Sequence, residues 1–161
     1  MIRFDNLPEG AQSMTPYIVV KDGQKMIDFY KRAFGAEVVS SSTMPESDKI
    51  MHAALRVGDS AFFLNDEFPD HGALSPATTG SSSSSIHIQV SEGLDELYNQ
   101  AIAAGGTPMM PPGDMFWGDR FAMLKDPSGH KWSIGMSIAN APKATDEEIK
   151  EMMSSGTSEG R

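Results

Sequence analysis

One order of strands and helix occurs twice in this chain of 161 residues, and the second copy follows the first at a constant offset of 70 positions. A register that holds across a strand, a helix and the glycine after the helix indicates an internal repeat. The chain is therefore expected to fold as two copies of one unit. The offset relates Ile18 to Ile88, Val20 to Val90, Ile27 to Leu97 and Gly35 to Gly105.

Within each copy the apolar residues switch from period two to period 3.6 and back, which predicts one strand, one helix and three further strands. The first half is predicted to contain strands 17–20, 37–40, 52–57 and 61–65 and a helix over 23–34. The second half is predicted to contain strands 86–90, 107–110, 119–125 and 131–136 and a helix over 94–104. These elements predict an α+β fold built from two βαβββ modules.

The same patterns set the expected domain organisation. We expect an N-terminal extension (1–14), a single domain (15–138) made of repeats 15–65 and 85–136 with a connector (66–84), and a C-terminal segment (139–161). The connector is rich in Pro, Gly and Ser, which predicts a flexible segment. Thr145 and Glu148 match a capping box that would begin a short helix, Asp146 to Met153, ahead of a disordered polar tail.

Composition excludes several classes of protein. The chain has no cysteine, which rules out disulfides, zinc-thiolate sites and a cysteine nucleophile and favours a cytoplasmic location. Its net charge of −9, without clustered Lys or Arg, argues against a nucleic-acid partner. No apolar run approaches the roughly 20 residues of a membrane-spanning helix, so no membrane partner is expected.

Several stretches of the chain resemble the vicinal oxygen chelate superfamily, which includes glyoxalase I, bleomycin resistance proteins, fosfomycin resistance enzymes and extradiol dioxygenases. Within that superfamily the opening Thr15-Pro16-Tyr17 and the segment Trp117 to Arg120 are most similar to the PhnB-like branch. The resemblance implies a small-molecule ligand in a cavity between curved sheets, and a homodimer. The matching stretches are Tyr17 to Val20, Ile27 to Glu37, His52 to Asp59, Ser85 to Ile88, Ala101 to Gly106 and Lys125 to Trp132.

In metal-dependent members of that superfamily, the first and last strands of each half supply four His, Gln or Glu ligands. The offset of 70 places Tyr17, Phe63, His87 and Ser133 at the four positions, so that only His87 is retained. A divalent ion in an oxygen and nitrogen site needs at least three protein donors. The expectation is therefore no cofactor, with a divalent metal left open as an alternative.

Two histidines on predicted strands are candidate ligand contacts. His87 lies between Ile86 and Ile88, so its side chain points to the opposite face from theirs. It would contact ligand or act as a general base there, or be a structural histidine whose hydrogen bonds are satisfied. His52 shares a mixed polar face with Arg56, and Tyr17 is the counterpart of His87 in the first half.

The segment Phe116 to Arg120 places two aromatic residues before an acid and a base. Trp117 could stack on a planar ligand while Arg120 holds a carboxylate or phosphonate. The alternative is that Asp119 and Arg120 pair with each other and Trp117 closes the core. The other candidates are Phe62 and Trp132, as apolar wall or core, and Asn65, as an amide donor to ligand.

Three functions remain open at this stage. The first is a small-molecule-binding protein without the standard metal quartet. The second is a glyoxalase-like lyase or isomerase in which His87, with His52 or another donor, holds a metal in a non-standard way. The third is a protein-protein module with a vestigial pocket. Whether the chain is an enzyme, and which ligand it takes, are left undetermined by these patterns.

Overall fold

A computed structural model describes residues 3, 12–138 and 145–155. The first half contains β1 (Tyr17–Val20), α1 (Gly23–Phe34), β2 (Glu37–Thr43), β3 (Ile50–Val57) and β4 (Ser60–Asp66). After a 3-10 turn (Pro69–His71) and α2 (Pro76–Thr79), the second half contains β5 (Ser85–Val90), α3 (Leu94–Ala103), β6 (Thr107–Asp114), β7 (Asp119–Lys125) and β8 (Lys131–Ser137). The predicted α+β fold of two βαβββ modules is confirmed.

Local sequence explains where α1 begins and ends. Asp22 caps its N-terminus, and the Asp22 side chain accepts a hydrogen bond of 3.3 Å from the backbone N–H of Lys25. Gly35 ends the helix in the left-handed conformation at φ 65°, which an L side chain adopts only with strain. The predicted helix over 23–34 is confirmed.

Each module forms a four-stranded sheet in which the first strand pairs with the last. The strand orders are β1-β4-β3-β2 and β5-β8-β7-β6, and the β1/β4 and β5/β8 pairs are parallel. Tyr17 lies opposite Phe63, and His87 lies opposite Ser133, so the two modules share the same register. The repeat of the sequence is thus a repeat of strand pairing.

The helix-covered faces of the two sheets contribute to one core. On β1 and β4 the inward residues alternate, as Ile18, Val20, Phe62 and Leu64, and on β8 the inward residues include Trp132 and Ile134. Both helices pack into the same cluster, and Gln100 of α3 donates a 3.1 Å hydrogen bond to the carbonyl of Ala33 on α1. Within the part of the chain that the structure describes, no helix packs across the opposite face of either sheet, and this face is called here the open face. The first open face belongs to β1–β4, and the second to β5–β8.

A buried carboxylate joins the two halves of this core. One Asp126 oxygen accepts hydrogen bonds from the Tyr30 hydroxyl at 2.7 Å and the Trp132 indole N–H at 2.9 Å. The other accepts from the backbone N–H groups of Ser128 and His130, at 2.9 and 3.0 Å. Burial, together with the charge of Asp126, raises the pKa of the Tyr30 hydroxyl well above its usual value, so that it stays protonated and donates.

The turn that follows Asp126 contacts the first module directly. The backbone N–H of Lys21 donates to the Ser128 hydroxyl at 2.8 Å, and His130 Nε2 donates to the carbonyl of Val19 at 2.7 Å. His130, which follows the turn, thus connects the second module to the first. These bonds connect the end of β1 to the β7–β8 turn.

The connector between the modules, which its composition predicts to be flexible, makes several specific hydrogen bonds. Glu67 accepts hydrogen bonds from the backbone N–H and the hydroxyl of Ser75, at 2.8 and 2.6 Å. The N–H of Ala77 donates to the carbonyl of Ser128 at 2.9 Å, and Gly129 lies so close to Pro76 that an added Cβ would be 3.0 Å from it. Local hydrogen bonds fix this segment, and composition does not report them.

The C-terminal helix α4 covers Asp146–Ser155, two residues beyond the predicted end. The predicted capping box is present, because the backbone N–H of Thr145 donates to a Glu148 carboxylate oxygen at 2.7 Å. The predicted disordered tail, and most of the N-terminal extension, lie outside the described residues. No helix of the described stretches has the length and apolar character needed to cross a membrane.

Replacing Tyr30 with Phe should lower the free energy of unfolding by about 1.5 to 3 kcal/mol, because a hydrogen bond to a buried charged acceptor is lost. The matched control is Tyr98→Phe, since Tyr98 is buried but its hydroxyl makes no hydrogen bond within the described residues. Urea unfolding of both variants measures the difference. Equal losses in the two variants would contradict the importance of the Asp126 contact.

Stability should also depend on pH through Glu67. Hydrogen bonds from Ser75 and Thr78 lower the pKa of Glu67 from 4.5 to about 2. Because the folded-state pKa is depressed, this stabilisation is complete above pH 4.5 and is lost as the pH falls toward 2. Partial exposure limits the effect to about 1 kcal/mol. The melting temperature of Glu67→Gln should therefore lie below that of the unmodified protein at pH 7, and the gap should narrow at pH 3.

Candidate functional site

The first open face carries a cluster of three aromatic rings. Tyr17 and Phe63 are adjacent across the parallel β1/β4 pair, with ring centroids 5.8 Å apart, and His52 lies 4.9 Å from the ring of Phe63. His52 Nδ1 is 3.3 Å from the Tyr17 hydroxyl. Two of the predicted site residues, Tyr17 and His52, are thus brought together. Phe63, which the prediction treated as a lost ligand position, completes their cluster.

The second open face carries a hydrogen-bonded row of three polar side chains. His87 Nδ1 lies 2.8 Å from the Ser133 hydroxyl, and His87 Nε2 lies 3.1 Å from Gln89 Oε1. Since the amide oxygen of Gln89 only accepts, Nε2 carries the proton, and Nδ1 accepts from Ser133. These partners fix the tautomer of His87. The expectation that His87 faces away from Ile86 and Ile88 is met, because the isoleucines pack on the core.

Gly135 makes room for this row. A Cβ added at Gly135 would lie 2.8 Å from His87 Cε1, 3.0 Å from Nε2 and 3.1 Å from the Gln89 side-chain oxygen. The imidazole therefore lies directly over the β8 backbone at a position where a side chain would displace it. Sequence reasoning missed both Gly135 and Gln89, although each shares a face with a predicted residue by period two.

An aromatic group extends the second open face beyond His87. The His87 ring stacks on Phe121 at 6.2 Å, and Trp117 meets Phe121 edge-on at 5.7 Å and Phe116 at 4.9 Å. Trp117 is 40% exposed. It does not close the core, as one alternative predicted, but is accessible beside the open face. Asp119 is opposite Ser137 and alternates with Phe121 on β7, so it belongs to this face as well.

Arg120 does not occupy the predicted ligand position. It alternates with Ala122 and Leu124 and therefore lies on the helix-covered face, where its guanidinium binds Asp95 at the start of α3 through two bonds, at 2.6 and 2.8 Å. A third bond, of 2.7 Å, goes to Asp114. These bonds raise the pKa of Arg120 above its usual value. The pairing of Arg120 with Asp119 that was the alternative is wrong too, since its partners are other carboxylates.

Three further predicted site residues are buried. Phe62 and Trp132 lie in the shared core, with ring centroids 5.5 Å apart, and both reach the inner wall of a groove of about 670 Å³ beside β5. Both predicted roles, core and apolar wall, are compatible with this position. Asn65 is buried beneath the first open face. Its side-chain amide donates a hydrogen bond of 2.7 Å to the backbone carbonyl of Asp66, and it does not point toward the predicted ligand site.

The predicted site residues are divided between the open faces of two different sheets. Tyr17 and His52 are on one, and His87 and Trp117 are on the other. A groove of about 670 Å³ lies between the β3–β4 turn of the first module and β5 of the second, and Phe62, His87 and Trp132 line it.

The four positions of the metal quartet do not fit a divalent ion. They hold a phenol, a phenyl ring, an imidazole and a hydroxyl, and the imidazole of His87 already makes a hydrogen bond at each nitrogen. Phe63 offers no donor atom. Among the described residues, no three His, Asp or Glu side chains converge in a group that could hold a metal.

Replacing Gly135 with Ala should displace the His87 ring and break its hydrogen bond to Ser133. We expect a loss of about 1 kcal/mol or more in the free energy of unfolding, because the added Cβ overfills a packed site. Long-range nitrogen–proton NMR spectra of the histidine ring would report the change of tautomer. The matched control is Gly113→Ala, where the added Cβ would meet its nearest atom at 3.7 Å. Unchanged His87 signals in Gly135→Ala would contradict this geometry.

Comparison with known proteins places this geometry in a family. A model of the Glyoxalase/Bleomycin resistance protein/Dioxygenase superfamily matches residues 12–134. An uncharacterized protein of Mycobacterium tuberculosis is similar to this chain, with 34% identity over 146 residues that cover 89% of this chain and 83% of that protein. Both matches include the two modules.

Solved structures share the fold. A protein of Pseudomonas aeruginosa is 26% identical, with a TM-score of 0.66 over 80% of this chain and 99% of that one. A Bacillus cereus chain described as a PhnB protein is 20% identical, with a TM-score of 0.60 over 78% of this chain and 100% of that one. The second likeness is one of fold alone. The chain belongs to the glyoxalase/bleomycin resistance protein/dioxygenase superfamily.

Proposed function

We propose that this chain is a small-molecule-binding protein of the PhnB-like branch, acting without the metal quartet of its enzymatic relatives. The observation that carries the proposal is the exposure of aromatic side chains on sheet faces that no helix covers. Tyr17 is 56% exposed on the first open face, and Phe116 and Trp117 are each 40% exposed beside the second. Exposed aromatic groups of this kind mark binding surfaces.

The chemistry of both faces suits a ligand with an apolar body and a few polar groups. Ligand sites combine apolar and aromatic walls with a small number of fixed hydrogen-bonding groups. Phe63 and Phe121 supply walls, and the His52–Tyr17 and His87–Ser133 pairs supply polar atoms at defined positions. Both histidines point from a rigid strand, so little side-chain freedom is lost when a ligand binds.

We propose that a homodimer completes the site. In this arrangement the first open face of one copy lies opposite the second open face of its partner, which encloses two equivalent cavities by symmetry. Tyr17, His52 and Phe63 would form one wall, and His87, Phe121 and Trp117 the other. Exposed apolar residues near the faces, Val39 and Met110 among them, would be covered by the partner.

Domain limits and location belong to the same proposal. The compact unit is proposed to span 15–138, with repeats 15–65 and 85–136, the connector 66–84, and short extensions on either side. The modules and the connector contacts support these limits. A cytoplasmic location is proposed from the absence of cysteine.

A screen of aromatic compounds by thermal shift, followed by calorimetry, tests the binding function. A compound present at about 100 times its Kd should add about 2.7 kcal/mol of stability. Its affinity should fall about tenfold or more in Trp117→Ala, because a stacking partner is lost. The control is Val38→Ala, which removes an exposed apolar side chain that pairs with Leu55 on the helix-covered side. If no compound binds Trp117→Ala more weakly than it binds Val38→Ala, the proposal is overturned.

Light scattering of the same preparation tests the proposed dimer, and elemental analysis tests whether a metal is bound. We expect the mass of a dimer and no change in melting temperature on addition of Zn²⁺, Ni²⁺ or Mn²⁺. A monomer at high concentration would contradict the shared cavity. Stoichiometric metal that is lost in His87→Ala would favour the alternative function, a metal-dependent glyoxalase-like lyase or isomerase.

A further inference from the structure

Two lysines lie side by side at one end of the second open face. Lys125 ends β7 and Lys131 begins β8, and they are directly opposite each other in the antiparallel ladder. Like charges at opposed positions of two strands destabilise a sheet. Neither lysine has a carboxylate within ion-pair distance among the described residues. The pair is therefore an uncompensated positive site on a chain whose net charge is −9.

The lysines line a recess and not a flat surface. A cavity of about 530 Å³ lies here, bounded by the connector at Pro76 and Ser82 and by Met109 of β6. The connector wall is fixed, because the N–H of Ala77 bonds the carbonyl of Ser128 at 2.9 Å. Lys131 is half-buried in this recess. A recess of this size can hold a small chemical group, whereas the surface of a partner protein would not fit into it.

Asp126 also borders the recess but forms no ion pair with either lysine. Its two carboxylate oxygens are occupied by the Tyr30 hydroxyl, the Trp132 indole and two backbone N–H groups. Those donors hold the carboxylate in the core. The positive charge of the recess is thus open to an anion from outside the chain.

We propose that this recess binds the acidic group of an anionic, apolar ligand, and that the body of the ligand lies along the second open face toward Phe121 and Trp117. The inference rests on the proposed binding function and specifies its ligand class. Alternation along β7 places Lys125, Met123 and Phe121 on one face. Two residues of strand span about 7 Å and four span about 13 Å.

These spacings describe the ligand. Its carboxylate or phosphate group would lie about 7 Å from the level of Ser133 and His87, and about 13 Å from that of Phe121, if it binds at Lys125 and Lys131. An aryl or alkyl acid about as long as two linked phenyl rings would reach from the lysines to Phe121. A neutral compound of the same shape would bind the aromatic end without using the lysines.

Calorimetric titration with 4-biphenylcarboxylate and with the neutral 4-biphenylmethanol tests the inference. The double variant Lys125→Gln/Lys131→Gln should bind the carboxylate about tenfold more weakly, since charge-assisted hydrogen bonds are lost. Its affinity for the alcohol should be unchanged. The matched control, Lys31→Gln/Arg32→Gln, removes two positive charges from the exposed last turn of α1. It should bind both compounds as the unmodified protein does.

Each other outcome has a distinct meaning. Equal carboxylate affinity in the two double variants overturns the lysine site and leaves the binding function standing. Absence of binding of either compound at millimolar concentration overturns the inference together with the proposed function of this face. A lysine variant that dissociates into monomers, with carboxylate affinity unchanged, would show that the lysines meet a carboxylate of a second copy, which also overturns the inference.

Discussion

The carboxylate of Asp126 is the contact on which the arrangement of this molecule depends. Burying a charge is costly unless it is fully hydrogen-bonded, and four donors from α1, β8 and the β7–β8 turn meet that requirement. Because Tyr30 belongs to the first module and Trp132 to the second, the bond network also sets how the modules pack. The second open face takes its position from this network, since the turn that Asp126 begins connects β7 to β8, which carry Phe121 and Ser133.

The sequence was sufficient to predict the modules, because the repeat and the apolar periodicity are properties of each segment by itself. Helix α1 and strands β1 and β7 were predicted at their observed limits. Strand β6 was predicted only to Met110, since Pro111 and Pro112 are poor strand residues, yet it continues to Asp114 past a register shift. The alternation of side chains along a strand also predicts that Arg120 and Trp132 lie on the helix-covered side. Each is two positions from a core residue of its own strand, Ala122 or Ile134.

What the sequence could not predict is the orientation of one module against the other. Period two tells which side of a strand is buried, but not which surface buries it. His130 and Ser128 were therefore unremarkable as loop residues, and only the folded chain shows them bonded to Val19 and Lys21. The same limit explains why Tyr17 and His87 were expected in one cavity. Tyr17 and His87 are equivalent under the repeat, but they lie on the open faces of different sheets.

The parallel pairing of first and last strands has a consequence for how the chain reaches its fold. Tyr17 and Phe63 are 46 positions apart, and so are His87 and Ser133, so each sheet is complete only after a long loop has closed. The two loops are equal in length, and β1 and β5 both turn alternate apolar side chains toward the core. Pairing β8 with β1 instead of β5 would close a loop of 116 positions, from Tyr17 to Ser133, which costs only about 0.8 kcal/mol more than the native loop of 46. Discrimination between them falls to side chains, and the contact of His130 with Val19, which needs β1 in its own sheet, favours the native choice.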